Sequence, residues 1–165
     1  MHYYKKNCEL GKLGERVVRR SLLGSEPIEG RDGQEKRGDI TWGWLNVEVK
    51  TEKTYTGNLF IEEWSNRKWD EEGWFRKLTE CDYLFYLFIN PEEKVFRMFV
   101  APFERIGQHL KLCQCGGELK RVNSPQKNDT WGYTPSIDCM IASNALFELP
   151  FMSKQEPGTC LSSRS

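Results

Sequence analysis

The sequence predicts a mixed α/β fold, a central sheet with parallel and antiparallel strands flanked by helices. Three features carry this expectation. An amphipathic helical run occupies residues 9–23. Short strand patterns separated by glycines follow, between residues 39 and 63. A continuous apolar stretch, Tyr83–Ile89, then appears after a connection of nineteen residues, 64–82.

In residues 9–23, at roughly 100° per residue, Leu10, Leu13, Gly14, Val17, Val18 and Ser21 share one arc. Lys12, Arg16, Arg19 and Arg20 share the opposite one, Glu15 falls on the border, and Gly24 is a natural stop. Residues 25–37, with Pro27, Gly30 and Gly33, read as a loop. Strands are expected at Asp39–Trp42, Leu45–Thr51 and Asn58–Glu63, with turns at Gly43 and Gly57. Short turns make these three strands antiparallel neighbours. The connection 64–82 is polar, partly helical, and long enough to cross over to a parallel strand. That strand, Tyr83–Ile89, is apolar at every position and so buried on both faces. Asn90-Pro91 turns the chain into a strand at Lys94–Val100, and Pro102 opens a helix to about Leu112. Residues 113–140 are irregular, and 140–149 close the fold as helix or strand.

A chain of 165 residues suits one domain, here residues 1–151, and the Ser-rich residues 152–165 read as a disordered tail. The 24 basic and 24 acidic side chains cancel, which excludes a histone-like or polyacidic chain. Any nucleic-acid binding must come from a local patch. No stretch reaches the 18 or so apolar residues of a membrane span, and no secretory segment opens the chain, so a cytoplasmic location is expected. Six cysteines are too few for a disulfide scaffold and read mostly as reduced thiols.

The most informative stretch is Gly38-Asp39-Ile-Thr-Trp-Gly43-Trp44-Leu-Asn-Val-Glu48-Val-Lys50. A two-residue Gly43-Trp44 turn would set Trp42 opposite Leu45, Ile40 opposite Val47 and Asp39 opposite Glu48. Opposed residues have β-carbons about 4.5–5.5 Å apart, so two carboxylates would stand side by side, with Lys50 on the same face. Like charges so placed need a compensator. Either Lys50 neutralises them as a surface ion cluster, or a divalent cation does. Mg²⁺ favours such oxygens and also binds phosphate. A cation there would polarise a phosphoryl oxygen, and Lys50 would orient or help deprotonate the attacking water or stabilise developing charge. Glu15 at the helix border and Glu62 on the next strand are positioned to join the cluster. The arc of Lys12, Arg16, Arg19 and Arg20 could line a phosphate track.

Together these residues resemble the PD-(D/E)XK nuclease superfamily, with its restriction-endonuclease-like fold: a mixed central β-sheet flanked by helices. The resemblance runs over about residues 9–100. It is closest to small bacteriophage-type members through Gly14-Glu15-Arg16, Gly38-Asp39-Ile40, Val47-Glu-Val-Lys-Thr51, Gly57-Asn-Leu-Phe-Ile-Glu62 and Thr79-Glu-Cys-Asp-Tyr83. It implies Mg²⁺- or Mn²⁺-dependent hydrolysis of DNA, more in keeping with an endonuclease than an exonuclease, in a host cytoplasm. Asp39 and Glu48 would hold metal, the Val49 carbonyl and Glu15 would be further ligands, Lys50 would position or activate water, and Glu62 would assist. Gly38 stands where the superfamily's name has Pro. Junction resolution, usually the work of a homodimer, lies within the same class. A module that binds nucleic acid or protein without catalysis is the alternative from another class.

Cys113-Gln-Cys115-Gly-Gly117 looks like half a zinc knuckle, with His109, Cys139 and Cys81 as completing ligands. Its spacing is C-x-C rather than C-x₂-C, and the competing reading is a loop of reduced thiols. Trp64, Trp69 and Trp74, interleaved with Arg67, Lys68, Arg76 and Lys77, either pack the connection onto the sheet or stack unpaired bases.

Overall fold

The amphipathic run forms helix α1 (His2–Ser21), which begins seven residues before the expected start. The computed structural model describes residues 2–92, 94–116, 119, 121–124 and 129–150, so the expected tail at 152–165 lies outside the described residues. After α1 come β1 (Ser25–Pro27), α2 (Arg31–Arg37), β2 (Ile40–Trp42), β3 (Leu45–Glu52) and β4 (Ile61–Asn66). A 3-10 turn (Arg67–Trp69), β5 (Glu71–Glu72) and α3 (Trp74–Lys77) form the connection to β6 (Tyr83–Ile89) and β7 (Val95–Pro102). The chain closes with α4 (Phe103–Cys115), β8 (Arg121–Asn123), β9 (Trp131–Tyr133), α5 (Ile137–Ala142) and β10 (Phe147–Leu149).

Six strands form a mixed sheet in the order β1-β2-β3-β6-β7-β10, parallel only between β3 and β6. The hairpin register is as expected: Trp42 pairs with Leu45, Thr41 with Asn46 and Ile40 with Val47. Gly43 supplies the φ of 61° that a glycine-first turn requires. The apolar run becomes a central strand because only there are both its faces covered. Leu84, Tyr86 and Phe88 enter one core with Leu59, Ile61, Ile106, Ile137 and Met140. Phe85, Leu87 and Ile89 enter a second core against Val18 and Leu22 of the α1 segment.

Two expectations are corrected and one open choice is settled. The strand expected at 58–63 does not pair with β3. As β4 it joins a second, antiparallel sheet, β5-β4-β9-β8. The edge of β3 that it would have used is taken by β6, whose six buried apolar residues outcompete the half-polar Ile61–Asn66 for a central position. The segment 25–37 is not all loop, for it contains β1 and α2. The undecided segment 140–149 uses both forms, as the end of α5 and as β10.

The two sheets are tied together at the buried Tyr86 hydroxyl. It donates to Glu52 on β3 and accepts the Phe60 N–H at 3.2 Å, just before β4. This link sets where β4, and with it Glu62, stands relative to β3.

Candidate active site

Strand alternation puts Glu48, Lys50 and Glu52 on the face of β3 turned away from α1, because Val47 and Val49 are taken by the α1 core. Glu48 is 5% exposed, and its carboxylate is ion-paired with Lys50. The Lys50 ammonium also sits 5.0 Å from the centroid of the Trp74 ring, so α3 fixes the lysine from the other side.

Asp39 does not pair with Glu48 in the ladder as expected. It lies just before β2, where its own N–H donates to Val47 O at 2.9 Å. Its Oδ2 accepts the Val49 N–H at 2.9 Å, so the side chain stands in for a missing strand at that edge. A strand residue directs its N–H and C=O to the same edge, so the Val49 carbonyl shares the edge Asp39 occupies. Gly38 makes this possible. Its φ is 103°, and an added β-carbon would meet Val47 O at 2.7 Å and Glu48 N at 2.9 Å. Neither proline nor alanine fits there. Gly38→Ala is expected to cost about 2 kcal/mol or more of unfolding free energy through backbone strain and overpacking. Urea denaturation followed by circular dichroism would measure it, and an unchanged midpoint would contradict this reading.

Glu62 reaches the site from the second sheet. Its Oε1 accepts the Trp74 N–H at 3.4 Å, and with Asp39 and Glu48 it lines a cavity of about 270 Å³. Helix α2 adds Arg31, Gln34 and Glu35 to that cavity, β5 adds Glu71 and Glu72, and α3 adds Trp74 and Lys77. Glu35 holds Arg31 at 2.8 Å and Lys77 at 3.9 Å, joining α2 to α3. Of this wall the sequence pointed only to Trp74 and Lys77, and the α2 part was not foreseen. Its one signal was the i,i+4 pair Arg31/Glu35, hidden by Gly30 and Gly33. Glu15 on α1 is not a lining residue, but it is close enough to act on Asp39 and Glu48 through space.

The electrostatics follow from crowding acids into a half-dry space. Burial, with Asp39 and Glu15 adding to it, pushes the Glu48 carboxyl up to about 7, against the pull of Lys50. Burial also raises Asp39, opposed by Lys50 and the Val49 N–H. It raises Glu62, opposed by Lys50 and the Trp74 N–H, and it raises Glu15 with Asp39 adding to the effect. For Lys50, burial pulls downward, yet Glu48 and Asp39 outweigh it and the ammonium is held above its ordinary range. In this state Lys50 stays a protonated cation that can orient water or meet phosphate charge, and so cannot take a proton from water.

Of the other expected residues, Arg16, Arg19 and Arg20 come together with Ser25 around a second cavity, of about 250 Å³, while Lys12 is not part of it. Cys113 and Cys115 lie in the last turn of α4 rather than in a loop, where residues two apart do not face each other. Cys113 Sγ is 3.4 Å from His109 Nε2. Among the described residues, no group of three or more His, Cys, Asp or Glu side chains is arranged to hold a metal ion. Also among them, no helix is long and apolar enough to cross a membrane. A scan of protein-family models gives no match to this chain, and a search of curated proteins gives none either.

Proposed function

We propose that this protein is a divalent-metal-dependent nuclease that hydrolyses DNA phosphodiesters, with an active site of the restriction-endonuclease-like kind. One observation carries the reading. Asp39, Glu48 and Glu62 come from three separate segments to a single cavity, with Lys50 held between Glu48 and Trp74 beside it. A merely structural ion cluster needs no cavity and no third acid.

The donor set fits Mg²⁺ or Mn²⁺. It is all oxygen, it holds more negative charge than Lys50 neutralises, and burial disfavours that charge at every carboxyl. Asp39 and Glu48 would hold the ion, with the Val49 carbonyl and Glu15 as further ligands. When bound, it would supply a Lewis acid for the phosphoryl oxygen and an acidified water.

The chain's own residues do the rest. Val49 N–H holds Asp39 in place, and the Glu48–Lys50 pair keeps the lysine charged beside the cavity. Lys50 meets the charge that builds on the non-bridging phosphate oxygens. Glu62, anchored by the Trp74 N–H, accepts from water on the far wall.

The reading of a binding module without catalysis has two observations in its favour: Lys50 already neutralises Glu48, and among the described residues no three ligands converge. Calorimetry separates the two. A nuclease site takes up Mn²⁺ in wild-type protein and loses that uptake in Asp39→Ala. No uptake by folded wild type, or uptake unchanged in the variant, would remove the metal site from Asp39.

A further inference from the structure

The second cavity lies on the shoulder formed by the end of α1 and β1, the strand that pairs with the hairpin. Arg16, Arg19 and Arg20 line it with Ser25. Arg16 and Arg20 take part in none of the ion pairs among the described residues. Arg19 has a long ion pair, 3.7 Å to Glu26, and its enclosed Nε finds no acceptor. A buried donor left without a partner is costly, so this cluster is short of anionic oxygen. The fork of a guanidinium matches a phosphate group.

Ser25 is the cross-strand partner of Trp42, so the next side chain along this face is an indole. Trp42 is 42% exposed, anchored by its Nε1–H to Leu23 O at 3.1 Å, and Trp44 at the hairpin turn is 87% exposed. Large aromatic faces left in water beside three arginines match the chemistry of an unpaired nucleotide: a phosphate for the cations and a base face for the indoles. A duplex offers the phosphate but hides its base faces in the stack.

The spacing to the acidic cavity suits one strand. Arg19 is one helical turn, about 6 Å, beyond Glu15, which lies outside the acidic cavity but acts on Asp39 and Glu48 through space. Trp42 is three strand residues, about 10 Å, beyond Asp39. These separations are roughly two and three nucleotides of rise along one strand.

We propose that this shoulder holds an unpaired DNA strand, with a backbone phosphate in the cavity of Arg16, Arg19, Arg20 and Ser25 and a base stacked on Trp42 and Trp44. The inference deepens the nuclease reading by naming its substrate class as DNA with a single-stranded segment. It is tested without cutting.

The experiment is fluorescence anisotropy in EDTA with the full chain, using a labelled 15-nucleotide single strand and the blunt duplex of the same sequence, with folding checked by circular dichroism. The wild type should bind the single strand at least about tenfold tighter. Trp44→Ala should remove that preference while leaving duplex affinity alone. Arg16→Ala with Arg20→Ala should weaken both and flatten the salt dependence. Equal affinity for both forms, or a preference that survives Trp44→Ala, would overturn the proposal. So would Trp44-dependent partitioning into phosphatidylserine vesicles without single-strand binding, which would make the shoulder a membrane contact. Strand binding by a protein that never cuts would count against the nuclease reading alone, and cutting without strand preference against this inference alone.

Discussion

Glu48→Ala and Lys50→Ala are each expected to lower metal-dependent DNA cleavage by at least about a thousandfold, but for different reasons that binding will separate. Glu48 is one of the proposed metal ligands, so its removal should abolish Mn²⁺ uptake together with cutting. Lys50 is a competitor for that carboxylate, because its ammonium already occupies Glu48. Lys50→Ala should therefore bind Mn²⁺ at least as tightly as wild type while losing the cation that meets the phosphate. Parallel calorimetry and gel assays would show the split. A Lys50→Ala protein that cuts at the wild-type rate would take the lysine out of the chemistry. One that folds but no longer binds Mn²⁺ would make it a scaffold for the acids.

The second large effect is on stability. Glu48 has a folded-state pKa of about 7 against an ordinary 4.5. Between those values the folded chain holds more protons than the unfolded one, so stability falls as pH rises. The contribution is fully present below about pH 4.5 and is lost as pH passes 7. At roughly 1.4 kcal/mol per pKa unit, the loss is on the order of 3 kcal/mol. Asp39 and Glu62 are raised as well and act in the same direction. A divalent cation should reverse the trend by replacing the proton. Thermal melts should show a lower Tm at pH 8 than at pH 6 in EDTA, and a Mn²⁺ stabilisation that is larger at pH 8. A Tm that rises across this range in EDTA would show that Glu48 is not held as an acid in the folded protein.

The parts of the fold legible from sequence were those set by local geometry or by one dominant apolar run. The Gly43-Trp44 turn dictated the pairing of Trp42 with Leu45, and the all-apolar Tyr83–Ile89 could only be a central strand. Lys50 and Glu48 were read onto one face by alternation alone, and they lie there. What escaped depended on competition at a distance. Nothing in Ile61–Asn66 says that β6 will claim the edge of β3 and send this strand to another sheet, yet that displacement brings Glu62 across the cavity rather than alongside Glu48. The bend at Asp39 escaped for another reason. Alternation assumes a regular ladder, whereas Gly38 at φ 103° breaks it and lets a carboxylate take the Val49 N–H. Helix α2 was hidden because its glycines resemble a loop and it buries no side chain of its own.

The acids around this cavity are proposed to serve metal-dependent hydrolysis of DNA. The most direct test is to incubate the wild-type protein with supercoiled plasmid and with single-stranded DNA in Mg²⁺, Mn²⁺ or EDTA, beside Asp39→Ala. The account predicts cutting in Mg²⁺ or Mn²⁺, none in EDTA, and none by the folded variant in any buffer. Cutting that persists in EDTA or in Asp39→Ala, or no cutting of either DNA by a folded wild type that binds Mn²⁺, would contradict it.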